Sequence, residues 1–230
     1  MFSSHIYWTF SSASFSSFAI PWSTRYSATI DSQSWNSLTI GAYTEKVQIN
    51  DANYNNLPRV APSGGLSPYS STSVLWDKKW PIKPDVVFEG GNLLKREHDL
   101  TPYVDHDALE VLTTSKNIQF RKFETINATS AACALASNLA AEIAATYPDL
   151  WAESIRALIV HSAKWSDSML RQFHVTGRTN IKRLLRSCGY GIPNRERALY
   201  STENGFTYIS QNSLKPYIKN GSTVSLNEMH

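Results

Sequence analysis

The side chain best placed to do chemistry is Ser130, in the run Asn127-Ala128-Thr129-Ser130-Ala131-Ala132-Cys133-Ala134-Leu135-Ala136. An irregular segment there gives way to a long stretch of small residues with helical period. A serine at that junction lies beside backbone N–H groups with no intrahelical partner, at the positive end of the helix dipole. Such groups stabilise an oxyanion, so the position suits the nucleophile of an acyl transfer. It suits a plain helix cap equally well by residue type, because Ser and Thr are common there. On these residues alone the two readings stand side by side.

Other constellations offer less. His98, Asp99, Asp105, His106, Asp107 and Glu110 are potential ligands, but they lack the fixed spacing of a metal site and Thr101-Pro102 interrupts them. They read as a solvated acidic loop, and no metal or cofactor is expected. Arg171, Arg178, Lys182, Arg183, Arg186, Arg195 and Arg197 form a basic stretch without interleaved aromatics or a nucleic-acid motif, so no nucleic-acid partner is expected. Asn127-Ala128-Thr129 fits a glycosylation acceptor, yet a glycan there would block any cleft at Ser130. Cys133, three residues after Ser130, reads as core packing. It and Cys188 are the only cysteines, too few for a disulfide framework, and free thiols suit a reducing, cytoplasmic setting.

The elements that must position Ser130 follow from period and punctuation. Ser37 to Thr44 and Val86 to Phe88 are apolar and β-branched enough for buried strands, with an Asn/Pro/Gly/Ser-rich loop from Asn50 to Ser73 between them. Ala131 to Thr146 predicts a helix, with Leu135, Leu139 and Ile143 at four-residue spacing and alanines elsewhere, buried nearly all round. Pro148 ends it, and Asp149 is a candidate cap for a second helix to about Ala163 with the stripe Ile155, Leu158, Ile159. Thr179 is a candidate cap for a third, Asn180 to Ser187, closed by Gly189; Ile181, Leu184 and Leu185 point inward. Phe206 to Ile209 and Thr223 to Leu226 look β-like.

Composition fits an α/β domain. The chain has 230 residues, 42% hydrophobic and 18% charged, with a net charge of +3 and no apolar run near the ~20 residues a membrane helix needs. That is enough for one core, and the small charge demands no polyanionic partner. The segment through Trp22 is rich in Ser and aromatics and has no Lys, Arg, Asp or Glu. Phe10 to Phe18 is broken repeatedly by serine, unlike a signal peptide, so secretion is not expected.

Four landmarks in order then set the context of Ser130. These are Trp35-Asn36-Ser37-Leu38-Thr39-Ile40-Gly41-Ala42, Ser67-Pro68-Tyr69-Ser70-Ser71-Thr72-Ser73, Lys83-Pro84-Asp85-Val86-Val87, and Ala128-Thr129-Ser130-Ala131-Ala132 with its helix. Together they resemble the carboxyl-terminal half of a subtilisin-like serine peptidase of the subtilase family, whose nucleophile lies in Gly-Thr-Ser-x-Ala. Arg183 to Gly191 extends the likeness. The resemblance implies part of a three-layer α/β fold with a mostly parallel sheet and a buried helix starting at the nucleophile. It implies Ser130 as nucleophile, with Thr129 supporting the oxyanion corner, and a polypeptide as substrate. Residues 1–34 are then an irregular leader, 35–200 the catalytic-domain portion and 201–230 a β-like extension.

The pattern also departs from the family. Ala128 replaces Gly before Thr-Ser, and Ala134 stands where Pro is common. Subtilases order their triad Asp, His, Ser. His5 lacks His-Gly-Thr surroundings, Asp31 stands in the wrong place for the triad acid, and Asn36 is a poor match for the oxyanion Asn. The triad Asp and His therefore have no candidate in this chain, and the amino-terminal half of the fold is expected to be absent. Without a base the Ser130 hydroxyl stays protonated and weakly nucleophilic. In subtilisin itself, loss of the Ser or His costs on the order of a million-fold in turnover. The expectation is an inactive piece of a peptidase, or else a degenerate module that binds a protein partner through an exposed sheet edge.

Overall fold

The computed structural model describes residues 34–96, 103–204, 209–211, 217–220 and 223–226. Its centre is a three-stranded sheet in the order β2-β1-β3, where β1 is Ile40–Thr44, β2 is Gly65–Leu66 and β3 is Val86–Glu89. β1 and β3 run parallel with Ile40 opposite Val86 and Tyr43 opposite Glu89, whereas β2 is antiparallel to β1. The sheet among the described residues is thus mixed, with one parallel pair. The two principal strands are where β-branched and apolar residues concentrate; β1 starts at Ile40, later than its sequence pattern, whereas β3 runs on to Glu89.

Strand alternation sends side chains to two cores. Leu38, Ile40, Ala42 and Val86 meet α1 (Ala128–Thr146), α2 (Ala152–Ser162) and α5 (Arg195–Asn204) through Ala132, Ala136, Ile143, Leu158, Ile159 and Leu199. On the opposite face Val87 and Leu66 meet Met169 and Phe173, from and just after α3 (Asp167–Gln172), and Leu184 and Cys188 of α4 (Arg178–Cys188). Each aliphatic side chain so buried contributes about 1.5–3 kcal/mol relative to exposure. Helices on both faces of a sheet with a parallel pair define an α/β arrangement.

α1 is less enclosed than its alanines suggest. Thr129, Ala131, Ala132, Cys133, Ala136, Leu139, Ala140 and Ile143 are buried, while Ala134, Leu135, Asn138 and Ala141 are exposed. Leu135 therefore leaves the expected stripe. α2 starts after Trp151 and not at Asp149, and the Gln211 carboxamide oxygen takes the N–H of Trp151 at 2.7 Å and the hydroxyl of Ser154 at 2.6 Å. A distant side chain has replaced the local cap. α4 begins after Gly177, ahead of Thr179, and ends at Gly189 with φ +55° as expected; Ile181 is exposed.

Several elements lack a clear pattern in the sequence. α3 is capped by Ser166, which accepts from the N–H of Met169 at 3.1 Å. α5 has only a weak apolar stripe. β6 (Val111–Thr114) and β7 (Phe123–Ile126) make a hairpin whose outward face carries Leu112 and Phe123. β4 (Leu94–Lys95) pairs with β5 (Tyr103–Val104), and β8 (Tyr217–Asn220) with β9 (Thr223–Leu226). β9 falls where the sequence predicts it, whereas Phe206 to Tyr208 lies outside the described residues.

Parts of both flanks of the central strands are occupied. Beyond β2, Ala42 accepts from the N–H of Ser67 at 3.0 Å and donates to the Ser70 hydroxyl at 3.0 Å. On the outer side of β3, Asp85 accepts from the N–H of Tyr190 at 2.8 Å and Val87 donates to Gly191 at 3.0 Å. Below the sheet a buried charge cluster holds the strand entrances together. Asp85 accepts from Lys83 Nζ at 2.7 Å, Arg156 at 2.9 Å and the N–H of Thr39 at 2.7 Å, and Lys83 also donates to the Ser37 carbonyl at 2.7 Å. Burial pushes the Lys83 ammonium below the usual lysine range, and Asp85 partly offsets this.

Candidate active site

Ser130 is the third residue of α1 and is half-buried. The chain reaches it through a sharp corner. β7 ends at Ile126, Asn127 is extended at φ −124°, and Ala128 then takes φ +67°, a left-handed value rare for a residue with a Cβ. Here the substitution of Ala for Gly meets the backbone shape that favours glycine. The N–H of Ala128 donates to the Gly90 carbonyl at 2.8 Å, so the corner sits at the carboxyl end of β3. Gly90 permits the approach, since a Cβ there would lie 2.5 Å from the Ala42 Cβ and 3.1 Å from the Ala128 oxygen.

Asn127 holds the N-cap position but makes no side-chain cap bond. Its amide nitrogen lies 2.7 Å from Glu110, 3.1 Å from the Tyr69 hydroxyl and 3.2 Å from Asp105. Tyr69 in turn donates to Asp105. Burial, that bond, and the charges of Asp105 and Glu110 all hold the Tyr69 phenol well above its ordinary range. With Asn127 engaged elsewhere and no acidic side chain in the first turn, the helix mouth carries its dipole without side-chain neutralisation by the cap residue. Thr129 is buried beside it.

The acidic loop is therefore not simply solvated: Asp105 and Glu110 tie into the corner before Ser130, and Asp107 meets the Thr125 hydroxyl at 3.4 Å. Sequence reasoning singled out these acids but missed Tyr69 and Asn127 as their partners, because contacts 22 and 58 positions apart leave no local signal. Among the described residues no group of three or more His, Cys, Asp or Glu is placed to hold a metal ion. His5, Asp31, His98 and Asp99 lie outside the described residues.

The remaining candidates are dispersed. His106 Nδ1 accepts from the N–H of Ala108 at 3.1 Å and its ring meets Tyr54 edge-on at 5.1 Å. His161 lies in the last turn of α2, and His174 follows α3 with φ +44°. None of these is hydrogen-bonded to Ser130 among the described residues. Asn36 is exposed ahead of β1. Arg186 clamps a loop, donating to the Ser73 carbonyl at 2.7 Å, and Arg195 pairs with Glu142 at 2.7 Å. Cys133 and Cys188 are buried thiols outside any disulfide, and desolvation pushes Cys133 up to about 11. No helix among the described residues is long and apolar enough to cross a membrane.

A sharp corner into a helix at the carboxyl end of a strand, on this α/β frame, is the setting for comparison with known families. The chain belongs to the subtilase family, whose model matches residues 22–191. The match opens at Trp22, inside the Ser/aromatic-rich stretch. An uncharacterised protein, y4bN of Sinorhizobium fredii (strain NBRC 101917 / NGR234), is 27% identical over 139 residues, covering 57% of this chain. The matched region spans 30% of that relative's length.

Proposed function

We propose that Ser130 is the nucleophile of a subtilase-type peptide hydrolysis, and that these 230 residues carry the nucleophile side of the site without its base. The observation that carries this reading is the place of Ser130 in the first turn of α1, after a left-handed corner tied to β3. In the reaction Ser130 Oγ attacks the substrate carbonyl while its proton passes to a histidine. The tetrahedral oxyanion takes the backbone N–H of Ser130, and Thr129 holds that corner in shape. Collapse expels the amine with the same proton, and water then hydrolyses the acyl-enzyme. The histidine and its orienting aspartate must come from outside the elements described. The three-layer arrangement of the complete family domain, with a polypeptide in its cleft, belongs to the same proposal.

A fluorophosphonate probe tests it. The isolated chain is expected to remain unlabelled, because an unactivated serine hydroxyl reacts slowly. Co-folding with a polypeptide that supplies the Asp and His segments should give labelling that disappears in Ser130→Ala. Labelling of the chain alone would sink the claim of inactivity. Labelling that persists in Ser130→Ala would sink the assignment.

The second reading is a protein-binding module. The exposure of Leu112 (66%) and Phe120 (91%) on and beside the β6–β7 hairpin favours it. Contact would then rest on such side chains. A clean monomer that never labels, even with the complementing segment, would support this reading over the first.

A further inference from the structure

Asn127 stands where a helix is ordinarily capped, and asparagine is among the residue types best suited to the task, yet its side chain makes no bond to α1. A capping asparagine offers its amide oxygen to the N–H two or three residues on, which here means Thr129 or Ser130. Among the described residues neither the N–H nor the hydroxyl of Ser130 has a hydrogen-bond partner. That N–H is the oxyanion donor of the reaction proposed above, and a cap bond would occupy it. Three acceptors turn the amide away. Its nitrogen lies 2.7 Å from Glu110, 3.1 Å from the Tyr69 hydroxyl and 3.2 Å from Asp105. Tyr69 donates its own proton to Asp105, so toward Asn127 it can only accept. Only the nitrogen end of a carboxamide carries hydrogens, so these partners fix which end faces them.

We propose that Glu110, Asp105 and Tyr69 are positioning residues that hold the Asn127 amide off the mouth of α1, so that the Ser130 N–H stays open to the oxyanion. The proposal rests on the assignment of Ser130 as nucleophile. Its three anchors come from separate segments: Tyr69 follows β2, Asp105 follows β5 and Glu110 precedes β6. The corner is thus held from outside the helix, not by the helix's own first turn. Charge decides the competition. Hydrogen bonds to ionised acceptors are roughly twice as strong as neutral ones, so two carboxylates outweigh a single bond from a neutral amide oxygen to a backbone N–H. Both carboxylates are engaged with Asn127, and Asp105 also with Tyr69, which keeps them from turning to the helix dipole themselves. The helix forgoes a stabilising cap, and the N–H that a cap would cover remains available.

Solvent exchange of the Ser130 amide proton, read by NMR on the full chain, separates this role from a merely structural one. Asn127→Asp removes the nitrogen donor, is repelled by Glu110 and Asp105, and is drawn to the helix mouth. Its carboxylate should cap α1 and slow exchange at Ser130 by roughly ten-fold or more. Asn127→Ala can neither cap nor reach the acids and should stay within about two-fold of wild type. Glu110→Ala/Asp105→Ala should free the native amide to cap and slow exchange as Asn127→Asp does. Glu110→Gln, whose amide oxygen still accepts, should keep the wild-type rate. A network that only braces the corner gives the opposite sign, because loosening it speeds exchange. Faster or unchanged exchange in Asn127→Asp overturns the inference, and so does Asn127→Ala exchanging as slowly as Asn127→Asp. None of these rates depends on the reactivity of Ser130. In the complemented chain, Asn127→Asp should take the fluorophosphonate roughly ten-fold or more slowly than Asn127→Ala, as loss of an oxyanion donor requires. Equal labelling of the two overturns the inference, whereas labelling that persists in Ser130→Ala overturns the nucleophile assignment beneath it.

Discussion

The backbone N–H of Ala128 reaches the carbonyl oxygen of Gly90 at 2.8 Å, and the Ala128 oxygen lies 3.1 Å from where a Cβ on Gly90 would stand. The two residues brace each other: one fixes the turn before the helix, and the other vacates the volume that the turn needs. Changes at the pair should act in opposite directions.

Ala128→Gly should stabilise the fold. A left-handed residue with a Cβ costs roughly 1–2 kcal/mol, and the extra chain entropy of glycine returns about 0.5–1 kcal/mol of that. The net expectation is a gain of about 0.5–1 kcal/mol, seen as a higher urea midpoint at unchanged slope. A lower midpoint would show that the methyl group contributes packing beyond its backbone cost.

Gly90→Ala should do the reverse. The new methyl would lie 2.5 Å from the Ala42 Cβ in β1 and 3.1 Å from the Ala128 oxygen at the start of α1. Overpacking of this kind costs about 1–3 kcal/mol. A midpoint equal to wild type would mean that β1 and β3 separate more readily than their register suggests.

Asp85→Asn should be among the most damaging single changes at the entrance to the strands. It leaves Lys83 buried without its carboxylate and removes the partner of Arg156. Breaking such a buried arrangement costs about 3–5 kcal/mol. Lys83→Met should cost less, because Asp85 keeps Arg156 and the N–H of Thr39. Thermal melts of the two variants give the order directly, and a reversed order would contradict it.

Alkaline pH should weaken the fold through Cys133. Its thiol rises from 9.0 to about 11 on burial. The unfolded thiol ionises first, so the native state holds more protons between those values. The contribution is full below pH 9 and is lost as pH rises through 11, by roughly 2–3 kcal/mol for this group. Denaturation midpoints at pH 8 and pH 10.5, compared with the same pair in Cys133→Ala, isolate it; a pH response that survives the substitution belongs elsewhere. A thiol reagent at pH 8 should modify native chain far more slowly than unfolded chain.

The sequence carried the backbone of this reading where residue type and period coincide. β1 and β3 are runs of apolar and β-branched residues, and α1 is announced by alanine, Leu139 and Ile143. The strain at Ala128 could be anticipated, since a family glycine there marks a backbone shape that alanine tolerates poorly. The diversion of Asn127 could not be read, because its partners Tyr69, Asp105 and Glu110 come from other segments. Nor could the start of α2, where the Trp151 N–H and the Ser154 hydroxyl both donate to Gln211 from 60 and 57 positions away. The hairpin before Ser130 escaped for a different reason: Val111-Leu112-Thr113-Thr114 places its larger apolar residue on the exposed face, so the usual alternation is inverted.

The hydroxyl of Ser70 and the amide of Ser67 close the flank of β1 that would otherwise template another strand. Fibril-type growth on that flank cannot begin by simple collision. The loop from Gly64 to Ser70 must first peel away, so the rate of any such growth is governed by a local opening equilibrium inside the monomer.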